Sequence, residues 1–179
     1  MRFLQRAPLE LATIILGLVV VGLGFLQPNS ILIMILGSAI TVIAIVTFVD
    51  DLRAHYGARE EFRKKLVDDA LRTMNYLIVS NSLPPLPSAT WTTKTEEVKR
   101  DLLGGSDYIF WNQFYDHVGD SDKYCGSGRD LDKEIVAKLH RAIFDSFLAA
   151  YDGISWIRDS VPRVRISDFR ERAKQSVTL

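Results

Sequence analysis

LATIILGLVVVGLGFL, residues 11–26, and ILIMILGSAITVIAIVTFV, residues 31–49, decide the reading of this chain. Only Gln27-Pro28-Asn29-Ser30 separates them. Neither run holds a charge, and Thr13, Ser38, Thr41 and Thr47 supply all the hydroxyls. With Leu9 and Glu10 opening the first, the spans 9–26 and 31–49 match the roughly 17–25 apolar residues that a helix needs to cross a bilayer core. Lipid offers the backbone no hydrogen-bond partner, so each span is expected to be helical. So short a link makes the two helices antiparallel neighbours. The expectation for residues 1–49 is therefore a transmembrane hairpin.

Working outward, Pro8 suits the first turn of a helix, where its missing N–H costs nothing. Glu10 then falls in that first turn, close to the positive end of the helix dipole. Basic residues near the span ends set the orientation. Arg2 and Arg6 precede the first span; Arg53, Arg59, Arg63, Lys64 and Lys65 follow the second, and the link has none. Both termini are expected in the cytosol, with the chain in a plasma or inner membrane. A cleaved signal peptide is the rival reading of the first span. It needs small residues at a cleavage site, and Phe25-Leu26-Gln27-Pro28 is a poor one.

Small residues recur along both spans. Thr13, Gly17 and Gly24 share a face of the first, and Gly37, Thr41 and Ala44 share a face of the second. Such stripes let helix backbones approach closely in lipid. They are expected to pack the hairpin on itself; contact between protomers of a homo-oligomer is the sharper alternative.

Beyond residue 49 the composition changes. The chain has 22 Lys and Arg and 22 Asp and Glu. Only Arg2, Arg6 and Glu10 of these precede Asp50, so the remainder is a charge-balanced domain. That balance speaks against a general nucleic-acid binder. The single cysteine, Cys125, excludes an intrachain disulfide and suits a reducing compartment. Residues 50–80 carry Leu52, Tyr56, Phe62, Leu66, Ala70, Met74, Leu77 and Ile78 roughly on one face, which predicts a helical stalk with Gly57 as its weak point. Residues 81–179 form the cytosolic helical domain. It opens with a linker containing Leu83-Pro84-Pro85-Leu86-Pro87. A short helix capped by Thr93 and Glu96 follows, then an aromatic helix over 107–118 with Phe110, Trp111 and Phe114 as core. Residues 119–129 read as a polar loop. An amphipathic helix over 130–151 buries Leu131, Ile135, Leu139, Ile143, Phe147 and Ala150. Residues 154–166 read as irregular, with Arg163-Val164-Arg165-Ile166 as a brief extended piece, and Asp168 and Glu171 cap a last helix. The fold class is all-α: hairpin, stalk and a small helical bundle.

Three groups of residues carry candidate chemistry. Asp116, His117, Asp120, Asp122 and Cys125 lie within ten positions and could gather a metal, although the spacing fits no established motif and the Glu and Gly of a calcium loop are out of place. His140 stands beside Leu139 and Arg141. Together with His117 and Asp116 it could serve acid–base chemistry if the fold joins them. Arg158, Arg163, Arg165, Arg170 and Arg172 form a basic series suited to anions or lipid head groups. No phosphate-binding glycine loop, HExxH pair or GxSxG elbow is present, and no cofactor is expected. The arginine that helical ribonucleases of the HEPN type place shortly before their histidine is missing; Asn112 stands in that place ahead of His117.

Three functions follow. The first is a membrane-anchored helical binding or regulatory module with a cytosolic protein partner, self-associating in the bilayer. The second is an oligomeric effector or channel-like pore. The third is a membrane-tethered hydrolase or nuclease. The layout resembles small two-span membrane effectors and accessory proteins of prokaryotes, some of them acting in defence against phage. The resemblance covers the anchor and implies the second function.

Overall fold

The computed structural model describes residues 2–26, 31–80, 89–125 and 133–175. Among them all regular structure is helical: α1 (Arg2–Leu26), α2 (Ile31–Ser80), α3 (Ala89–Thr92), α4 (Glu96–Leu103), α5 (Gly105–Cys125), α6 (Lys133–Gly153), α7 (Ser155–Ser160) and α8 (Arg163–Gln175). The chain divides into two compact units, Met1–Arg59 and Glu60–Leu179. Both draw on α2, which is one helix of 50 residues.

In the first unit, small residues let α1 and the start of α2 meet closely. A methyl group built on Gly17 would fall on Thr41 Oγ1, and one on Gly24 would lie 2.5 Å from Met34 Cγ. One on Gly37 would come within 2.9 Å of Val21 and 3.1 Å of Val20. Position rises along α2 as it falls along α1, so the contacts run in antiparallel order. Gly17, Gly24, Gly37, Thr41 and Ala44 are buried in this seam, whereas Thr13 is exposed. The hydroxyls bond within their own helices: Thr13 to Leu9 O and Thr41 to Gly37 O, both at 2.8 Å. Thr47 bonds to Ile43 O and Ala44 O at 3.1 and 3.0 Å. This leaves the backbone ladder intact and hides the hydroxyl from an apolar surround.

Around the seam the large side chains point outward. Leu16, Leu18, Leu23, Ile35, Val42 and Ile43 are each more than half exposed. α2 is long and apolar enough to cross a membrane, and only 17% of its most apolar window is buried. The apolar part of α1, Pro8–Gly24, is shorter. One expectation is corrected here. α1 begins at Arg2, so Pro8 lies inside the helix and Glu10 is not in its first turn. The six residues before Pro8 contain no helix breaker, and the costs of the proline, one lost ladder bond and crowding of the carbonyl four residues back, are local. Glu10 Oε2 is buried with no hydrogen-bond partner among the described residues.

The second unit is a bundle around an aromatic core. Phe62, Leu66, Val67, Ala70, Met74 and Leu77 from α2 are buried in it with Trp111, Phe114 and Val118 of α5 and Ile143, Phe144 and Phe147 of α6. Residues 60–80 thus wall the bundle, and the sequence read as one stalk is divided between two units. α5 and α6 make the principal helix pair, with the rings of Phe114 and Phe147 5.9 Å apart. Each such fully buried ring contributes about 1.5–3 kcal/mol over its exposed state. α8 closes the unit by inserting Phe169, 5.8 Å from Phe147 and 6.4 Å from Phe144.

Four element boundaries differ from expectation. Thr95 rather than Thr93 precedes α4, and it makes no side-chain cap bond; Thr93 Oγ1 donates back to Ala89 O at 2.7 Å. Glu96 is thereby free to pair with Lys99 and Tyr108. α4 ends at Gly104, whose φ of 88° suits glycine. α5 runs on to Cys125, so 119–125 is helix and not loop. Gly119 is a tolerated helix residue there, with Val118 and Ser121 buried beside it. Finally, 154–166 is mostly helical: Pro162 immediately precedes α8, and Arg163 to Ile166 form its first turn. A proline beside a helix start forfeits no ladder bond, and burial of Ile166 and Phe169 fixes the helical phase. The expected Asp168 cap therefore lies within the helix. Leu131 and the Pro84–Pro85 segment fall outside the described residues.

Candidate functional site

The basic series read from sequence lies on α7 and α8. Ile166 and Phe169, three apart, bury one edge of α8. Their phase sends the neighbouring positions to two sides. Arg163, Ser167, Arg170 and Lys174 recur at intervals of four, three and four, and so share one face. Together with Arg158 of α7 and Tyr151 and Asp152 at the end of α6, they line a groove of about 540 Å3. Arg165, Asp168 and Arg172 belong to a second groove of about 520 Å3, completed by Asn75 and Ile78 of α2. Glu171 borders both. The structure thus splits the five arginines three to two.

The two grooves differ in charge. In the second, Arg165 and Arg172 are matched by Asp168 and Glu171. The first holds Arg158, Arg163, Arg170 and Lys174 against Asp152 and Glu171. Arg170 Nη2 bridges both oxygens of Asp152 at 2.8 and 3.0 Å. The side chains of Arg158, Arg163 and Lys174 have no hydrogen-bond or ion-pair partner among the described residues. Several cations on the other helices do have one a turn away: Lys65 with Glu61, Lys123 with Asp120, Lys138 with Glu134 and Arg141 with Asp145. Those exposed pairs add little stability, but they cancel charge locally. The first groove retains an excess of positive charge.

The other candidates sit apart from this groove. Asp116, His117 and Asp120 are helical residues of α5. Asp116 accepts a bond from Asn112 Nδ2 at 2.8 Å, and Asp120 accepts one from Lys123 at 2.9 Å. The side chains of Asp122 and Cys125 lie outside those described. His140 is 4% exposed and engaged by neighbours. Among the described residues no three His, Cys, Asp or Glu side chains gather as a metal site would require.

Two polar clusters escaped the sequence reading. In the first, Lys99, buried at 5% exposure, donates to Glu96 at 2.7 Å and stands 4.2 Å over the ring of Trp91. Tyr108 bonds to the same carboxylate. The Lys99 and Tyr108 bonds hold the Glu96 carboxyl below its ordinary value, while burial and the Glu96 bond push the Tyr108 phenol up. In the second, Arg63 and Trp156 meet Asp107. Each pairs a cation withdrawn from solvent, Lys99 buried and Arg63 half-buried, with a carboxylate, which is how a bundle tolerates it. The missed member of the basic groove is Lys174. Its spacing of eleven from Arg163 marks it only once α8 is known to start at Arg163. Asp152, eighteen residues before Arg170, carries no local signal.

No protein-family model matches the chain, and no curated protein or solved structure matches it significantly.

Proposed function

We propose that the chain is a membrane-anchored helical binding module. Spans 9–26 and 31–49 cross the bilayer as a hairpin, both termini face the cytosol, and the bundle from Glu60 onward meets a cytosolic partner. One observation carries this reading: large apolar side chains of α1 and the start of α2 face outward around a seam of small residues. A patch of that extent on a soluble monomer would drive association; against lipid tails it is at its lowest free energy. Basic residues flank the two spans and the link between them has none, which supports cytosolic termini. The close approach of Gly17 to Thr41 and of Gly37 to Val21 engages both stripes within one chain. That favours a tethered module over a pore assembled through those stripes.

The test is alkaline carbonate extraction of membranes containing the full chain, followed by labelling of single cysteines placed at Ser38, Asn29 and Ser176 in a Cys125→Ser background. Retention in the membrane pellet, with Asn29 labelled only from outside and Ser176 only from within, is the expected result. Release by carbonate, or labelling of Asn29 and Ser176 from the same side, overturns the hairpin.

A further inference from the structure

We propose that the groove between the end of α6, α7 and α8 binds a phosphomonoester group, with Arg158, Arg163, Arg170 and Lys174 as its ligands. This goes beyond the anchoring role, since every residue involved belongs to the bundle. Three physical arguments converge. First, four cations from two helices line one concavity of about 540 Å3, and their like charge gives the groove a positive potential that attracts an anion. Second, three of them have no partner among the described residues, and Arg170 commits only one nitrogen, Nη2, to Asp152. Guanidinium groups present several donors in a planar fork that matches the oxygens of a phosphate. Third, even with Glu171 counted wholly to this groove although it borders both, Asp152 and Glu171 leave an excess of two positive charges, which matches a phosphomonoester dianion better than a carboxylate or a singly charged diester. The cations are exposed, so their long side chains can close on the ligand without disturbing the buried Ile166 that floors the groove.

The neighbouring groove supplies an internal control, because it holds only two cations, Arg165 and Arg172, against Asp168 and the shared Glu171. The phosphate can arrive on a soluble molecule or on a lipid head group, and the experiment separates the two. Full-length chain is held in phosphatidylcholine nanodiscs. One arm titrates glycerol phosphate, a soluble phosphomonoester, by calorimetry at low salt. The other measures co-flotation with vesicles of phosphatidylcholine containing phosphatidic acid. Saturable binding in the first arm identifies a soluble phosphate; capture in the second arm alone identifies a lipid head group. In either case Arg158→Ala and Arg163→Ala each weaken binding by roughly tenfold, as expected for loss of a charge-assisted hydrogen bond. Arg165→Ala leaves it within about twofold, the residual expected of screened long-range charge. Helical circular dichroism checks that each variant is folded. Binding in neither arm overturns the proposal. So does binding that Arg158→Ala and Arg163→Ala leave unchanged, or that Arg165→Ala weakens equally. The nanodisc measurement does not report orientation, so failure of the hairpin topology appears only in the labelling experiment.

Discussion

Trp156 donates its indole N–H to Asp107 Oδ2 at 2.8 Å, joining α7 to α5 across 49 residues of chain. The same oxygen lies 3.5 Å from Arg63 Nη2 on α2, and the Arg63 guanidinium stands 4.8 Å over the Trp156 ring. One carboxylate therefore holds three helices together. Arg63 and Asp107 have side-chain exposures of 14% and 19%, so water screens the pair poorly. Asp107→Ala should cost about 1–3 kcal/mol, since it removes a half-buried acceptor shared by the Trp156 indole and the Arg63 guanidinium. Asp107→Asn keeps an acceptor for the indole and should cost less. Urea unfolding followed by tryptophan emission measures both. All three tryptophans, Trp91, Trp111 and Trp156, lie in the bundle, so the signal reports that unit. Equal costs for Ala and Asn would show that the indole bond contributes nothing.

The pair formed by Glu96 and Tyr108 makes bundle stability depend on pH at both extremes. Glu96 has a folded value below its unfolded one, because of Lys99 first and Tyr108 second. Its contribution is present above the ordinary glutamate range and is lost as pH falls through the lowered value. Tyr108 has a raised value, from burial first and from Glu96 second. Its contribution is present below the ordinary tyrosine value and is lost as pH rises through the raised one. Glu96→Gln should flatten the acid limb, and Tyr108→Phe the alkaline limb, of the urea midpoint plotted against pH. Glu96 is more than half exposed, so the effect is modest and weakens with salt.

Two glycines of the bundle predict changes of opposite sign. A methyl group on Gly153 would lie 2.7 Å from Phe110 Cζ and 2.9 Å from its Cε2. Gly153→Ala should destabilise by about 1–2 kcal/mol through overpacking, and Phe110→Leu should reduce that penalty in a double-mutant cycle. Gly119, inside α5, has open space around the same position. Gly119→Ala should stabilise by about 0.5–1 kcal/mol, because glycine is the more flexible residue in the unfolded chain. Thermal unfolding reads both; a loss at Gly119 would mean that α5 is not regular there.

Much of this fold is legible locally. Uncharged runs declare α1 and the start of α2, and the apolar periodicity of Ile143, Phe147 and Ala150 declares α6. The departures have a common cause: tertiary burial overrides local turn and strand preferences. Gly119 and the aspartates around it read as loop, yet burial of Val118 and Ser121 keeps α5 helical through them. Arg163 to Ile166 alternates as a strand would, but Ile166 and Phe169 need helical spacing to reach the core together. The candidate groove was half visible for the same reason. Its arginines stand out in the sequence, whereas their division into two faces depends on where α8 begins. Partners such as Asp152 for Arg170, or Asp107 for Trp156, are set by how helices pack and leave no mark in local spacing.

The seam between α1 and α2 separates an intrachain role for the small residues from an oligomeric one. Gly37 admits no side chain: a methyl group there would lie 2.9 Å from Val21 Cγ2 and 3.1 Å from the Val21 backbone nitrogen. The side chain can rotate away, but the backbone can yield only if the helices separate. Gly22, on the same helix as Val21, has open space. Gly37→Leu should therefore lower the thermal midpoint of the detergent-held chain, by about 1–3 kcal/mol in free energy, while Gly22→Leu leaves it unchanged. The mass of the protein particle by light scattering, corrected for bound detergent, should be the same for the parent chain and both variants. If Gly37→Leu instead reduces that mass while the chain stays folded, the stripe joins protomers and the pore reading gains ground. If Gly22→Leu reduces it, the outward-facing side of α1 forms the interface. An unchanged mass with a lowered midpoint places the function of the glycines inside one chain, where the close contact of Gly17 with Thr41 already engages them.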